Sequence, residues 1–221
     1  MSAFLVDGDP TAPIRILLAH GAGAPMTSPF MDALTRRLAG QGLGVSRFEF
    51  GYMAARRTSG KRTPPPKAER LMDEMIDAAR AAAAELPAGG RLFIGGKSLG
   101  GRVASLVADR LLGDGTASGL VCFGYPFHPP GQPAKLRTTH LAGLVCPALI
   151  VQGERDPFGS REEVEALAAG GALSPAIGIV WATDGDHDLG PRGGSGATRA
   201  GNLAAAAAEA ERFVREVAAR R

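Results

Sequence analysis

The stretch LFIGGKSLGG, residues 92–101, carries two overlapping patterns with different chemistry. Gly96-Lys97-Ser98 matches the tail of a phosphate-binding loop, Gly-x-x-x-x-Gly-Lys-Ser/Thr, whose backbone N–H groups cradle a nucleotide. Gly96-Lys97-Ser98-Leu99-Gly100 matches Gly-x-Ser-x-Gly, a tight strand-to-helix turn that lifts a nucleophilic serine above a sheet. The phosphate loop requires glycine at 91, where Arg91 stands. Its four intervening positions, Leu92-Phe93-Ile94-Gly95, read as apolar strand, and a strand cannot converge its N–H groups on an anion. A dinucleotide fingerprint begins at Gly21-x-Gly23, but Met26 holds the third glycine position and Pro25 disturbs the helix entry. Glu49, at the end of the next strand, is the acid such a site would offer to a ribose. The serine turn is the better match, although a chance Gly-x-Ser-x-Gly is a real alternative in a chain with 31 glycines.

A nucleophilic serine needs a base, and the base needs an orienting acid. With this turn the chain order is serine, then Asp or Glu, then histidine, each after a later strand. The chain has four histidines. His187, in DGDHDLG, follows the last apolar strand-like run. Asp156, in LIVQGERDPFG, follows the run before it. The separations, 156 − 98 = 58 and 187 − 156 = 31, suit one or two strand–helix units. The bland readings are a surface histidine among Asp184, Asp186 and Asp188, and a turn or cap role for Asp156. Acyl transfer also requires donors for the developing oxyanion. The N–H of Leu99, just after the serine, and that of Ala22, in the small-residue loop HGAGAP with Gly23 close by, are the candidates. His20 then supports that loop.

The elements that must position these residues alternate. Apolar runs at 14–20, 44–50, 91–96, 119–125, 147–153 and 176–182 read as strands. Amphipathic stretches at 28–42, 67–86, 99–112, 160–170 and 197–220 read as helices, with Ser28 and Ser160 as N-caps and Glu163 completing a capping box. The polar, proline-broken stretch 53–66 reads as a loop. Alternation of this kind means a mostly parallel sheet of six to seven strands with helices on both faces. No linker or repeat divides residues 1–221, so one domain is expected.

With 45% hydrophobic and 21% charged residues the composition is globular. A net charge of +3 without a long Lys/Arg run does not point to nucleic acid. No membrane-length apolar run and no signal peptide is readable. Cys122 and Cys146 sit in apolar segments and are expected as buried thiols rather than a disulfide or metal site, which suits a reducing, cytoplasmic setting. Abundant Ala, Gly and Arg is associated with GC-rich bacterial genomes.

HGAGAP, GGKSLGGR, QGERDPFG and DGDHDL together resemble the α/β-hydrolase superfamily, in particular its small hydrolases akin to dienelactone hydrolases, from about residue 14 to the C-terminus. Two departures stand out: dienelactone hydrolases use cysteine where Ser98 stands, and the chain begins close to the third strand of the full eight-stranded sheet. The resemblance implies a serine hydrolase acting on a small-molecule ester, thioester or lactone through Ser98, His187 and Asp156, with no metal or organic cofactor. It also admits a non-catalytic binding or scaffold protein on the same fold. The short, proline-rich segment 124–146 leaves room for only a minimal lid. Tyr125, Phe127 and His128, beyond the fourth of these strands, are expected beside Gly23 at the substrate pocket. Arg56, Arg57, Lys61 and Arg62 are either a solvated loop or a rim that attracts anionic substrates.

Overall fold

The computed structural model describes residues 4–60 and 64–220. The strands are β1 (Leu5–Asp7), β2 (Ile14–Ala19), β3 (Gly44–Phe48), β4 (Arg91–Lys97), β5 (Gly119–Phe123), β6 (Ala148–Gly153) and β7 (Ile177–Ala182). The helices are α1 (Pro29–Gly40), α2 (Gly51–Ser59), α3 (Met72–Ala84), α4 (Leu99–Gly113), α5 (Arg161–Ala169) and α6 (Arg199–Ala219). All strands join one seven-stranded sheet in the order β1-β3-β2-β4-β5-β6-β7. Every pairing is parallel except that of β1 with β3.

Successive strand residues point to opposite faces, so apolar runs feed two cores. Leu17, Ile94, Cys122 and Ile150 pack with α3 and α4 on one face. Ile16, Leu18, Phe93, Val121 and Val151 pack with α1 and α6 on the other. The sheet centre holds the reversal of strand order. From β2 the chain first moves outward to β3, then crosses back to β4 on the other side of β2. At such a reversal the connections leaving the two strands diverge and open a crevice at their C-terminal ends. The Gly21–Gly23 loop leaves β2 there, and Ser98 leaves β4.

Three details differ from the sequence reading, within the expected sheet of six to seven strands. The loop expected over 53–66 is helical up to Ser59, because Tyr52, Met53 and Arg56 form a face that packs and bonds inward, and Gly60 with φ 69° ends the helix. Residues 61–63 lie outside the described ones. The sheet also gains β1, a three-residue antiparallel edge too short for periodicity to register. The helix expected over 67–86 opens with a 3₁₀ turn, Ala68–Leu71, before α3.

Gly95 faces β5 so closely that a methyl group there would overlap the Val121 carbonyl oxygen. Gly95→Ala is expected to cost about 3 kcal/mol or more through backbone displacement, lowering the melting temperature by roughly 10 °C. A thermal melt showing less than a 3 °C change would contradict this packing.

Candidate active site

Ser98 occupies the single residue between β4 and α4, with φ 51° and ψ −114°. Few side-chain-bearing residues adopt this conformation, which projects the Ser98 side chain away from the sheet. The flanking glycines make it possible. A Cβ on Gly96 would stand 2.7 Å from the Gly100 carbonyl carbon, and one on Gly100 would stand 2.7 Å from the His20 carbonyl oxygen.

Ser98, His187 and Asp156, 89 and 31 residues apart in sequence, meet in one line. Ser98 Oγ is 2.9 Å from His187 Nε2, and His187 Nδ1 is 2.7 Å from Asp156 Oδ2. Because a carboxylate only accepts, Nδ1–H donates to Asp156 and Nε2 is left to accept the Ser98 hydroxyl proton. Asp156 is fully buried. Its Oδ1 accepts the Phe158 N–H at 2.8 Å, and Gln152 Nε2 donates to its Oδ2 at 2.9 Å. Gln152, also fully buried, accepts the Tyr125 N–H through Oε1 at 2.7 Å.

The loop carrying His187 is laced shut. Asp186 Oδ1 accepts the N–H groups of Asp188 and Gly190 at 2.9 and 2.8 Å. Asn202 of α6 donates to the carbonyls of Thr183 and Leu189, each at 2.9 Å. Hydrogen bonds from Arg192, side chain and backbone, hold the Asp184 carboxyl down to about 2. The three neighbouring carboxylates thus have separate tasks, two building the loop and one, Asp188, pairing with Lys97 Nζ at 3.3 Å.

Lys97 points into the site. Its ammonium donates to the His187 carbonyl at 2.7 Å and lies 5.2 Å from the centre of the Phe30 ring. Burial pushes its pKa down, against the pull of Asp188 and Asp156. Gly124, with φ 62°, leaves the room for this contact, since a Cβ there would sit 2.8 Å from the His187 carbonyl oxygen.

A cavity of about 440 Å³ opens over Ser98. Ala22, Gly23, Phe30, Lys97, Phe158 and His187 are among its walls. Ala22 and Gly23 border this cavity, and Leu99 opens the helix beside Ser98. Tyr125, Phe127 and His128 do not line it. All three are buried, Tyr125 and Phe127 in the α3/α4 core with rings 4.9 Å apart. Tyr125 Oη donates to the Arg137 carbonyl at 3.1 Å, and His128 lies 3.3 Å from Glu163 of the α5 capping box. The chain turns inward at Gly124 because aromatic area is worth more in the core than at a rim. Phe30 and Phe158 take the expected place. Phe158 packs 4.2 Å from the His187 ring, and its position two residues beyond Asp156 was the available signal. Of the basic residues, Arg57 pairs with Glu49 at 3.1 Å, and Lys61 and Arg62 lie outside the described residues. Cys122 and Cys146 are both buried.

A family model described as an alpha/beta hydrolase domain matches residues 12–215, and the chain belongs to that family. Its fold is shared by a serine hydrolase without a lid from Xanthomonas campestris, at 19% identity over 85% of this chain and 86% of that one, with a TM-score of 0.63. Est1E from Butyrivibrio proteoclasticus is similar at 14% identity over 97% and 93%, with a TM-score of 0.67. The esterase domain of a Rhodothermus marinus protein is similar at 19% identity over 96% and 93%, with a TM-score of 0.62. No helix among the described residues is long and apolar enough to cross a membrane.

His20 supplies a pH test of the site's floor. Burial lowers its pKa from 6.5 to about 4. The unfolded chain therefore binds the proton first as pH falls. Stability is complete above about pH 6.5 and declines towards pH 4 by about 3 kcal/mol. Urea midpoints measured from pH 7.5 to 4.5 should fall in wild type and fall less in His20→Gln.

Proposed function

We propose that this protein is a serine hydrolase that cleaves small-molecule carboxylic esters, thioesters or lactones through an acyl-enzyme. The observation that carries this reading is the continuous hydrogen-bonded line from Ser98 through His187 to a buried Asp156. His187 Nε2 takes the Ser98 proton as Oγ attacks the carbonyl carbon. The N–H groups of Ala22 and Leu99 stabilise the oxyanion, an effect of roughly 3–4 kcal/mol per donor. Asp156 holds the tautomer and stabilises the imidazolium. His187 then returns the proton to the leaving alcohol or thiol. Water, activated by the same histidine, attacks the acyl carbon and frees Ser98.

Among the described residues no helix or strand is inserted between β5 and β6 as a cap, and the Xanthomonas neighbour is likewise described as lidless. A site of this openness suits soluble esters of modest size.

A fluorophosphonate probe tests the reading. Wild type should be labelled, and Ser98→Ala and His187→Ala should not. Asp156→Asn should retain the fold and lose about 10⁴-fold in kcat for ester cleavage. A folded wild type that neither labels nor hydrolyses esters would sink the proposal and favour the binding or scaffold role.

A further inference from the structure

The helix α2 has no part in the Ser98–His187–Asp156 line, yet it grips the loop that borders it. Tyr52 Oη donates to the Ala22 carbonyl at 3.1 Å and lies 3.5 Å from the Gly21 carbonyl. One turn later Arg56 Nη1 donates to the same Ala22 carbonyl at 3.2 Å. The spacing of four places both side chains on one helix face, and the guanidinium carbon lies 5.1 Å from the centre of the Tyr52 ring. From below, His20 Nδ1–H donates to the Gly21 carbonyl at 2.7 Å, while its Nε2 accepts the Phe50 N–H at 3.2 Å. Phe50 caps α2, and Glu74 of α3 accepts the Gly51 N–H at 2.7 Å. The helix is thus anchored at its start and bonded to the loop along its face.

Peptide planarity turns this grip into an orientation. In a trans peptide the N–H points opposite to the carbonyl, and no described peptide is cis. Holding the Gly21 carbonyl aims the Ala22 N–H, and holding the Ala22 carbonyl aims the Gly23 N–H. The loop is also a wall between two cavities. Gly23 lines both the one over Ser98 and a second of about 590 Å³ that includes Arg56 and Arg57. The Ala22 carbonyl is bonded from the α2 side and the Gly21 carbonyl by His20, while Gly21, Ala22 and Gly23 all line the cavity over Ser98, so the opposed N–H groups are left to that cavity.

We propose that Tyr52 and Arg56 are positioning residues that lock the Gly21–Gly23 peptides, so that the N–H groups of both Ala22 and Gly23 are presented to an oxyanion above Ser98. This rests on the serine-hydrolase reading only for the existence of that oxyanion. The lock itself is a property of the free protein. Burial keeps the tyrosine a neutral donor, its hydroxyl pushed up to about 12. A donor held before reaction needs no reorganisation when charge develops. Its loss falls on the transition state and leaves ground-state binding alone.

The test uses Tyr52→Phe, which keeps the ring, Arg56→Gln, which removes the charged fork, and the double variant. Each single change is expected to lower kcat for a p-nitrophenyl ester roughly tenfold, and the double about 10²-fold, with KM within about twofold of wild type. Arg56→Lys, which retains a cationic donor, should recover much of the Arg56→Gln loss. The amide ¹⁵N shifts of Ala22 and Gly23 respond to hydrogen bonds on the preceding carbonyls. In the double variant they should move while those of β2 and α4 stay. An unchanged kcat in a folded double variant, or a loss carried wholly by KM, overturns the proposal. If wild type cleaves no ester, the serine reading fails separately. The amide shifts then decide, and unmoved Ala22 and Gly23 signals overturn the lock.

Discussion

Ser98 is held at φ 51°, a conformation that costs a residue with a side chain about 1–3 kcal/mol. The surrounding structure must over-determine it. β4 is fixed between β2 and β5, the Ser98 N–H donates to the Phe123 carbonyl at 3.1 Å, and the Ser98 carbonyl accepts the Arg102 N–H at 3.0 Å to start α4. The same sharp turn brings α4 against the end of β2, within reach only of a residue without a Cβ at 100. The strand order opens the central crevice, and the glycines at 96 and 100 let the strained turn close against β2 there.

Around this turn the polar groups form a buried network in which nearly every bond has a partner. Asp156 is fully buried with three donors aimed at it, from His187, Gln152 and the Phe158 backbone. In a low-dielectric interior a carboxylate so satisfied is rigid, whereas one left short of donors would be costly. Lys97 plays the corresponding part above the sheet, bonded to the His187 carbonyl and Asp188. A lysine that in the sequence matches the tail of a phosphate-binding loop instead ties β4 to the histidine loop. The Phe30 ring packs beside the Lys97 ammonium and the Phe158 ring against His187.

The loops that carry His187, Asp156 and Gly21–Gly23 are irregular, but each is clamped by a regular element. α6 holds the histidine loop through Asn202, the α5 capping box holds the chain just beyond Asp156, and α2 holds the glycine loop through Tyr52 and Arg56. This division explains how short segments with few apolar contacts keep ångström-level geometry.

The alternation of apolar runs with amphipathic helices was enough to give the α/β class and the positions of six strands, because period-two and period-3.6 patterns follow directly from side-chain direction. Gly-x-Ser-x-Gly, and the placement of Asp156 and His187 just beyond strands, named the three central residues, because turn chemistry and strand-end position are local properties. What stayed hidden was non-local. Tyr125 and Phe127 are as apolar as any pocket lining, and only the inward turn at Gly124 decides that they join the core. The charged, proline-flanked stretch around Arg56 has weak helical periodicity. Its inner face is bonded through Tyr52 and Arg56 to the Ala22 carbonyl, 30 and 34 residues earlier in the chain. Gln152, Asn202 and Lys97 look like ordinary polar residues in a strand, a helix and a turn. Their roles arise where strands distant in the chain become neighbours, and that is settled by tertiary packing alone.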